Sequence, residues 1–255
     1  MHTLAKRKNH IVVDTNWNEA FDLSLEHQSE GRMQFIAGLT NQYIRRSDAR
    51  TIILDVGCGS GKYISAMHDE NKDSLFIGLD LDLKGVQIAK RNNASNKCSE
   101  FIVASLYNLP FREQVFDGGT MWEVIEHIPP NTETSALGEL FRVLKKNASL
   151  LLSTPNDHLV SKLLDPAYFL RGHRHYNINK IAKIMESSGF AIVEKLVKGG
   201  IFSLISTDIM YFYKHILKKP MPNKKYGLIR NRANREYLEK SKKGLYNIFI
   251  TARRY

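Results

Sequence analysis

Two acids and a histidine lie within one helical turn in the segment WEVIEHI, at Glu123, Glu126 and His127. Three interpretations of this block remain open. In the first, the block is the start of a helix: its acids interact favourably with the helix dipole, and the histidine packs or hydrogen-bonds with nearby residues. In the second, His127 is a general base that takes a proton from a substrate hydroxyl. In the third interpretation, Glu123, Glu126 and His127 hold a divalent cation that positions the substrate.

A second group of histidines follows in the segment GHRHY, which contains His173 and His175. Side chains two residues apart point the same way on an extended chain. We therefore predict that His173 or His175 supplies a further base or ligand next to His127. The alternative is that both histidines have structural roles.

Three alternate glycines, Gly57, Gly59 and Gly61, follow the apolar run IILD and precede a helical pattern. This order predicts a buried parallel strand, a tight turn and a helix N-terminus. Glycines let the backbone pass close to a ligand, and free N–H groups at the helix start suit a nucleotide-like or carboxylate-bearing molecule. The spacing is G-x-G-x-G, whereas the dinucleotide fingerprint is G-x-G-x-x-G, so the loop does not favour NAD.

Asp80 ends a second predicted strand, LFIGLD. A carboxylate at this position can accept two hydrogen bonds from a ribose diol. Asp80 or Asp82 can also be a helix N-cap, but the place of Asp80 directly after the strand favours the ribose role.

These residues require a sheet whose strands end at one edge. Strands alternate with helical segments, which predicts an α/β domain with a Rossmann-like seven-stranded mixed sheet, its last strand antiparallel, and helices on both faces. Ligands of such sheets bind beyond the carboxyl ends of the strands, where the strand order reverses. We expect this point between the first and fourth strands, so Glu123, Glu126 and His127 would lie beside the ligand.

Five motifs in order, LDVGCGSG, GLDLD, NLPF, EVIEHI and LLSTPN, resemble those of the class I S-adenosylmethionine (SAM) dependent methyltransferases. The likeness covers roughly residues 51–197. It implies SAM as cofactor, with the glycine loop at the methionine part, the second-strand acid at the ribose and the end of the third strand at the adenine. The cofactor-binding set implied is Asp55, Gly57, Cys58, Gly59, Gly61, Asp80, Leu81, Ser105, Leu106 and Glu123. Ser105 departs from the family, which often has an acid there.

The E-x-x-E-H block itself is similar to blocks in the ubiquinone-pathway O-methyltransferases and the small-RNA 3′-terminal 2′-O-methyltransferases. In those families the block is tied to metal. The resemblance therefore implies a divalent metal, Mg or Mn, among the cofactors to consider.

Four regions are predicted along the 255 residues: an N-terminal helical cap (1–48), the SAM-binding core (49–200), a basic and apolar insertion (201–244) and the last strand (245–255). Asp14 or Thr15 can cap a helix that begins near Trp17. The insertion replaces a hairpin that is short in most of the family, and it suits a substrate cap or a membrane-interface segment.

The charge is strongly uneven along the chain. Residues 214–255 contain 13 Lys and Arg against two Glu, which accounts for the whole net charge of +11. Such a run can be only a solvated face, or it can meet an anionic membrane or nucleic acid. No signal peptide or membrane span is recognisable, and the two cysteines form no metal pattern. We expect a cytoplasmic protein, with peripheral contact at the inner face of the membrane through residues 201–244.

The predicted function is O-methylation of a small-molecule or lipid-like hydroxyl acceptor with SAM. The alternatives are an RNA 2′-O-methyltransferase, favoured by the basic tail and the later histidines, and a non-catalytic SAM-binding protein. The intact glycine loop and Asp80 argue against the last alternative.

Overall fold

The computed structural model describes residues 30–44, 50–165, 168, 173–219, 222–239 and 244–255. The helix predicted near Trp17 lies outside the described residues. In chain order the elements are α1 (Glu30–Tyr43), β1 (Ile52–Val56), α2 (Lys62–Glu70), β2 (Leu75–Asp80), α3 (Leu83–Asn92), β3 (Ser99–Val103), β4 (Phe116–Trp122), α4 (Glu133–Val143), β5 (Leu144–Pro155), α5 (Leu159–Leu163), α6 (Ile178–Ser187), β6 (Phe190–Lys198), α7 (Ile201–Tyr211), a π-helical turn (Phe212–Leu217), α8 (Asn223–Leu238) and β7 (Asn247–Arg254).

The strands form one seven-stranded sheet in the order β3-β2-β1-β4-β5-β7-β6. Strands β1 to β5 pair in parallel, whereas β7 runs antiparallel between β5 and β6. The predicted Rossmann-like mixed sheet with an antiparallel last strand is therefore confirmed. Strand order reverses between β1 and β4, which is the position predicted for the ligand.

Both faces of the sheet are covered by hydrophobic clusters. On β1, Leu54 and Val56 belong to the cluster that contains α4 and α6, while Ile53 belongs to the cluster with α1 and α2. Alternate residues of a strand point to opposite faces, so a strand buried on both sides reads as a continuous apolar run. This burial explains why IILDV contains no alternation of polar residues.

The insertion predicted at residues 201–244 contains α7, the π-helical turn and α8. Helix α8 packs against both α7 and α1. Its contact side includes Ala233 and Tyr237, four residues apart and both buried. Helices α1, α7 and α8 therefore form one helical layer over the sheet.

Two element boundaries differ from the sequence prediction. The sequence predicts a helix from Leu137 to Leu144 and a fifth strand from Ser149 to Ser153. Helix α4 instead begins at Glu133, and β5 runs from Leu144 to Pro155. The early part of β5 pairs with β4 through Leu144 and Phe116, with an irregularity in register after that pair. Polar residues in the sequence LKKNAS conceal this early pairing, because they resemble a loop.

Candidate functional site

The glycine loop adopts the tight turn that its composition predicts. Gly57, Gly59 and Gly61 have φ values of 71°, 50° and 75°, a region that strongly favours glycine. A Cβ atom on Gly57 would lie 2.4 Å from a methyl of Val124. The loop thus brings its backbone against the segment after β4, and a larger residue at this position would separate the two.

Asp80 holds the glycine loop to the end of β2. Its Oδ2 accepts from the Gly59 N–H at 2.8 Å, and its Oδ1 accepts from the Asp82 N–H at 2.9 Å. Burial raises the pKa of Asp80, opposed by these backbone hydrogen bonds. Asp82, by contrast, accepts from Lys84 and Gly85 as the N-cap of α3. The two acids therefore have different positions, and Asp80 is the one at the strand end.

Two polar groups near the loop retain unused bonding capacity. Asp55 is almost fully buried; its Oδ1 accepts from the Thr120 hydroxyl at 2.7 Å, while its Oδ2 has no hydrogen-bond partner among the described residues. The buried hydroxyl of Ser60 likewise has no hydrogen-bond partner among the described residues. Burial raises the pKa of Asp55 to about 7, although the Thr120 bond opposes the shift. A carboxylate and a hydroxyl with spare acceptors suit a ligand with an ammonium group.

The other residues predicted to bind cofactor lie at the same edge. Cys58 is buried, donates its backbone N–H to the carbonyl of Leu79, and contributes its thiol to the core. Leu81 is half exposed, just beyond β2. Ser105 and Leu106 lie just beyond β3 and are half-buried, and the Ser105 hydroxyl accepts from the Tyr107 N–H.

Glu123 is the centre of a buried polar network that the sequence did not predict. Its Oε1 lies 2.8 Å from Arg32 Nη2 and accepts from the Ser153 hydroxyl at 2.6 Å. Its Oε2 accepts from the side-chain amide of Asn247 at 3.0 Å, and the amide oxygen accepts from Tyr237. The network therefore joins α1, β4, β5, β7 and α8.

The backbone of Glu123 is also unusual, because its φ is +56° at a non-glycine residue. Left-handed conformations of this kind are strained and persist where surrounding contacts fix them. The three partners of the Glu123 side chain, Arg32, Ser153 and Asn247, provide that constraint. The strained turn directs the chain from β4 into the segment that contains His127.

Glu126 is buried and has little polar contact. Its Oε2 accepts from the Thr154 hydroxyl at 3.0 Å, while its Oε1 has no hydrogen-bond partner within the described ranges. Burial, followed by the charge of Glu123, raises the pKa of Glu126 well above its usual value. This environment favours the neutral acid over a charged ligand for a cation.

The predicted histidines do come together, around Asp165. His127 Nε2 and His173 Nε2 are 3.1 Å apart, and His173 Nδ1 lies 3.6 Å from Asp165 Oδ2. The same oxygen is 2.8 Å from His175 Nε2. Although burial opposes it, the two histidines hold the pKa of Asp165 below its usual range.

This geometry suggests separate tasks for the three histidines. The His175 ring is fully buried between Asp165 and the Asn156 carbonyl, 3.1 Å from its Nδ1, so both nitrogens face acceptors. His173 has Nδ1 towards the carboxylate, and its Nε2 can therefore accept from His127. His173 thus lies between the Asp165 carboxylate, at ion-pair distance, and His127, at hydrogen-bond distance, while His175 holds Asp165 in place.

Arg174 fixes the position of His127. Its guanidinium donates to the carbonyls of Ile125 at 2.7 Å and Ile128 at 2.5 Å, and forms an ion pair with Glu133 at 2.5 Å. Carbonyls on either side of His127 are thus held by the residue that lies between His173 and His175.

The predicted metal ligands do not converge on one point. Glu123 is directed to Arg32, Glu126 to Thr154, and His127 to His173. Across the part of the chain that the structure describes, no group of three or more His, Cys, Asp or Glu side chains has the arrangement of a metal site. The side chains present therefore do not fit the predicted Glu123, Glu126 and His127 cation site.

Comparisons with known proteins agree with this architecture. Residues 54–152 match the family model described as a methyltransferase domain. The chain is 35% identical over 104 residues to a tRNA (carboxymethyluridine(34)-5-O)-methyltransferase from Arabidopsis thaliana, covering 40% of this chain and 24% of that protein. It is 25% identical over 154 residues to O-methyltransferase rstn1 from Aspergillus nomiae, covering 56% of this chain and 65% of that protein.

Among solved structures, the fold is similar to a putative sarcosine dimethylglycine methyltransferase from Galdieria sulphuraria. The TM-score is 0.60 at 12% identity, covering 87% of this chain and 84% of that one. This likeness concerns the fold.

Proposed function

We propose that the protein transfers the methyl group of SAM to an acceptor oxygen, because residues 54–152 match the methyltransferase domain model and the fold is similar to that of solved methyltransferase structures. The observation that carries the proposal is the glycine loop tied to Asp80 at the point where strand order reverses. When bound, SAM supplies a methyl carbon on an activated sulfonium leaving group. The chain then has to align the acceptor, exclude water and accept a proton.

We assign the cofactor contacts by position. The loop from Gly57 to Gly61 would hold the methionine part, with Asp55 and Ser60 offering unused acceptors to its ammonium group. Asp80 would accept from the ribose hydroxyls. Ser105 and Leu106, beyond β3, would contact the adenine. The spare bonding capacity of Asp55 supports the assignment of such a ligand to this site.

The proton acceptor in the proposal is His127. Its contact with His173, which in turn faces Asp165, provides a path for the proton and a carboxylate that stabilises the resulting imidazolium. His175 is proposed to orient Asp165 rather than to react. No step passes through a metal, because the Glu123, Glu126 and His127 side chains do not fit one.

An oxygen acceptor is supported by the names of the relatives. The Arabidopsis protein is described as a 5-O-methyltransferase and the Aspergillus protein as an O-methyltransferase. We propose a small-molecule or lipid-like hydroxyl as the acceptor of this chain. The proposal includes a cytoplasmic location and peripheral membrane contact through residues 201–244.

RNA is the second candidate acceptor, because the Arabidopsis relative is named for tRNA. The basic segment after residue 213 is compatible with a polyanion. The aligned part spans 24% of that relative, so the likeness extends over the methyltransferase domain and not over the whole of that protein.

A transfer assay with methyl-labelled SAM tests the proposal. Lipid extract, a panel of phenolic and alcoholic small molecules, and total tRNA serve as acceptors in parallel. Base-stable label in a hydroxyl of the lipid or small-molecule fraction supports the first candidate, and label in RNA supports the second. SAM binding without transfer to any fraction would favour the non-catalytic alternative.

A further inference from the structure

The insertion presents large apolar side chains to solvent. Ile216 is 69% exposed and Leu228 is 83% exposed, and Phe212 and Leu217 are also exposed. Residues four and five apart lie near one face of a π-helix, so Phe212, Ile216 and Leu217 form one apolar ridge. Single exposed apolar residues need no explanation, but a ridge of three is a candidate contact surface.

Exposed cations border the ridge. Lys218 and Lys219 follow Leu217 directly and are both exposed. On α8, Leu228, Arg232 and Arg235 occur at i, i+4 and i+7 and are all exposed. Apolar and basic side chains therefore share the solvent side of the insertion, in the part of the chain that contains all of the net charge.

The two parts of this surface are held together. The rings of Tyr213 and Tyr226 are 5.8 Å apart, and their hydroxyl oxygens are 3.4 Å apart. Arg232 lies 4.9 Å from the ring centroid of Phe202, which links α8 to α7. These contacts hold the π-helical turn and α7 against α8, so the two exposed parts belong to one folded unit.

We propose that the surface formed by Phe212, Ile216, Leu217, Lys218, Lys219 and Leu228 binds an anionic membrane. An anionic bilayer interface accepts apolar side chains and attracts the cations beside them. RNA would explain the cations but would leave the apolar ridge in water. A second copy of this chain would cover the ridge but would bring Lys218 and Lys219 against like charge.

The arrangement defines the mode of attachment. Within the described ranges, no helix has the length and apolarity needed to cross a bilayer. The surface would therefore lie in the membrane–water interface.

Glu236 on α8 fixes the start of α7, which begins next to β6. Its carboxylate accepts from the backbone N–H groups of Gly200, Phe202 and Ser203 at 2.8–3.0 Å. The inference rests on the proposed function and deepens it, because it names the residues of the insertion that would contact the membrane.

Vesicle sedimentation of the full chain tests this proposal. Phosphatidylcholine vesicles are compared with vesicles that also contain phosphatidylglycerol, without SAM, so that membrane binding and cofactor binding are measured separately. We expect binding only to the anionic vesicles, weakened by added salt. The variant K218Q/K219Q should bind about fivefold more weakly for each charge removed, whereas the exposed pair K90Q/R91Q on α3 should bind as wild type.

The apolar ridge has its own test. F212S/I216S should bind anionic vesicles at least about tenfold more weakly, while Val193→Ser on β6 should have no effect. Calorimetric SAM binding by each variant reports that the core remains folded. The proposal is overturned if neither vesicle binds, if the ridge variant binds normally, or if the ridge variant instead loses RNA binding or self-association.

Discussion

At the scale of single residues, the buried charge of Arg32 requires a partner that the sequence alone cannot identify. Arg32 lies on the same apolar stripe of α1 as Ile36 and Leu39, and it is buried with them. A charge in such a stripe requires a buried partner, which is Glu123. That signal is present in the sequence and predicts an acid nearby. It cannot identify Glu123, because the pairing depends on how α1 crosses the sheet.

The Asp55 carboxyl allows a test of stability against pH. Since burial raises its pKa to about 7, the folded protein keeps a proton that the unfolded chain loses above its ordinary pKa of about 4. The wild-type free energy of unfolding should thus fall as pH rises from about 4 to about 7. We expect Asp55→Asn to be more stable than wild type by roughly 2–4 kcal/mol at about pH 8 and nearly equal at about pH 4.

Urea unfolding without SAM at the two pH values measures this difference. Asp73→Asn, at an exposed position, is the control and should match wild type at both. An Asp55→Asn variant that is destabilised at both pH values would contradict the assignment. If Asp55 also receives the ammonium of SAM, the same variant binds SAM more weakly despite its greater stability.

The His127 relay makes a separate kinetic prediction. His127→Ala should lower kcat by a factor of about 10²–10⁴ with little change in SAM affinity. His158→Ala, at an exposed histidine, should leave kcat unchanged. Asp165→Asn should also lower kcat, because the imidazolium that forms during proton transfer loses the nearby carboxylate. A His127→Ala variant with full kcat on the acceptor identified would rule out the relay.

At the scale of elements, α1, α7 and α8 form a cover that the sequence predicted only as two separate additions. Gly31 in the first turn of α1 packs against the backbone of α8, where an added Cβ would lie 2.2 Å from the Asn234 carbonyl oxygen. The Gly31 N–H also donates to the Asn234 side chain at 3.2 Å. Glycine is required here by close approach and not by backbone conformation.

Gly31→Ala should separate α1 from α8, whereas Gly38→Ala on the same helix meets no atom within 4 Å. We expect Gly38→Ala to stabilise the protein by about 0.5–1 kcal/mol through helix propensity. Gly31→Ala should lose about 1–3 kcal/mol from overpacking, and hydrogen exchange should increase in α8. Equal stability of the two variants would show that the α1–α8 contact contributes nothing.

At the scale of the whole molecule, the centre of the sheet was predictable, because β1 is an apolar run followed by the glycine turn and β2 is an apolar run that ends in an acid. The His127, His173 and His175 grouping was also predictable, since two segments that end parallel strands meet at one edge. Their partner Asp165 was not, because its side chain reaches the site from a long connection without a periodic pattern. The insertion was predicted from its length relative to the family's short hairpin and from its composition, whereas its packing on α1 depends on contacts over 200 residues apart in sequence.

The central claim is a SAM site built on the glycine loop and Asp80, and titration calorimetry with SAM tests it most directly. We expect saturable binding by wild type, a loss of at least about tenfold in Asp80→Ala, and unchanged binding in Asp82→Asn, which keeps its capping oxygen. No binding by the folded wild type, or Asp80→Ala binding as tightly as wild type, would contradict the account.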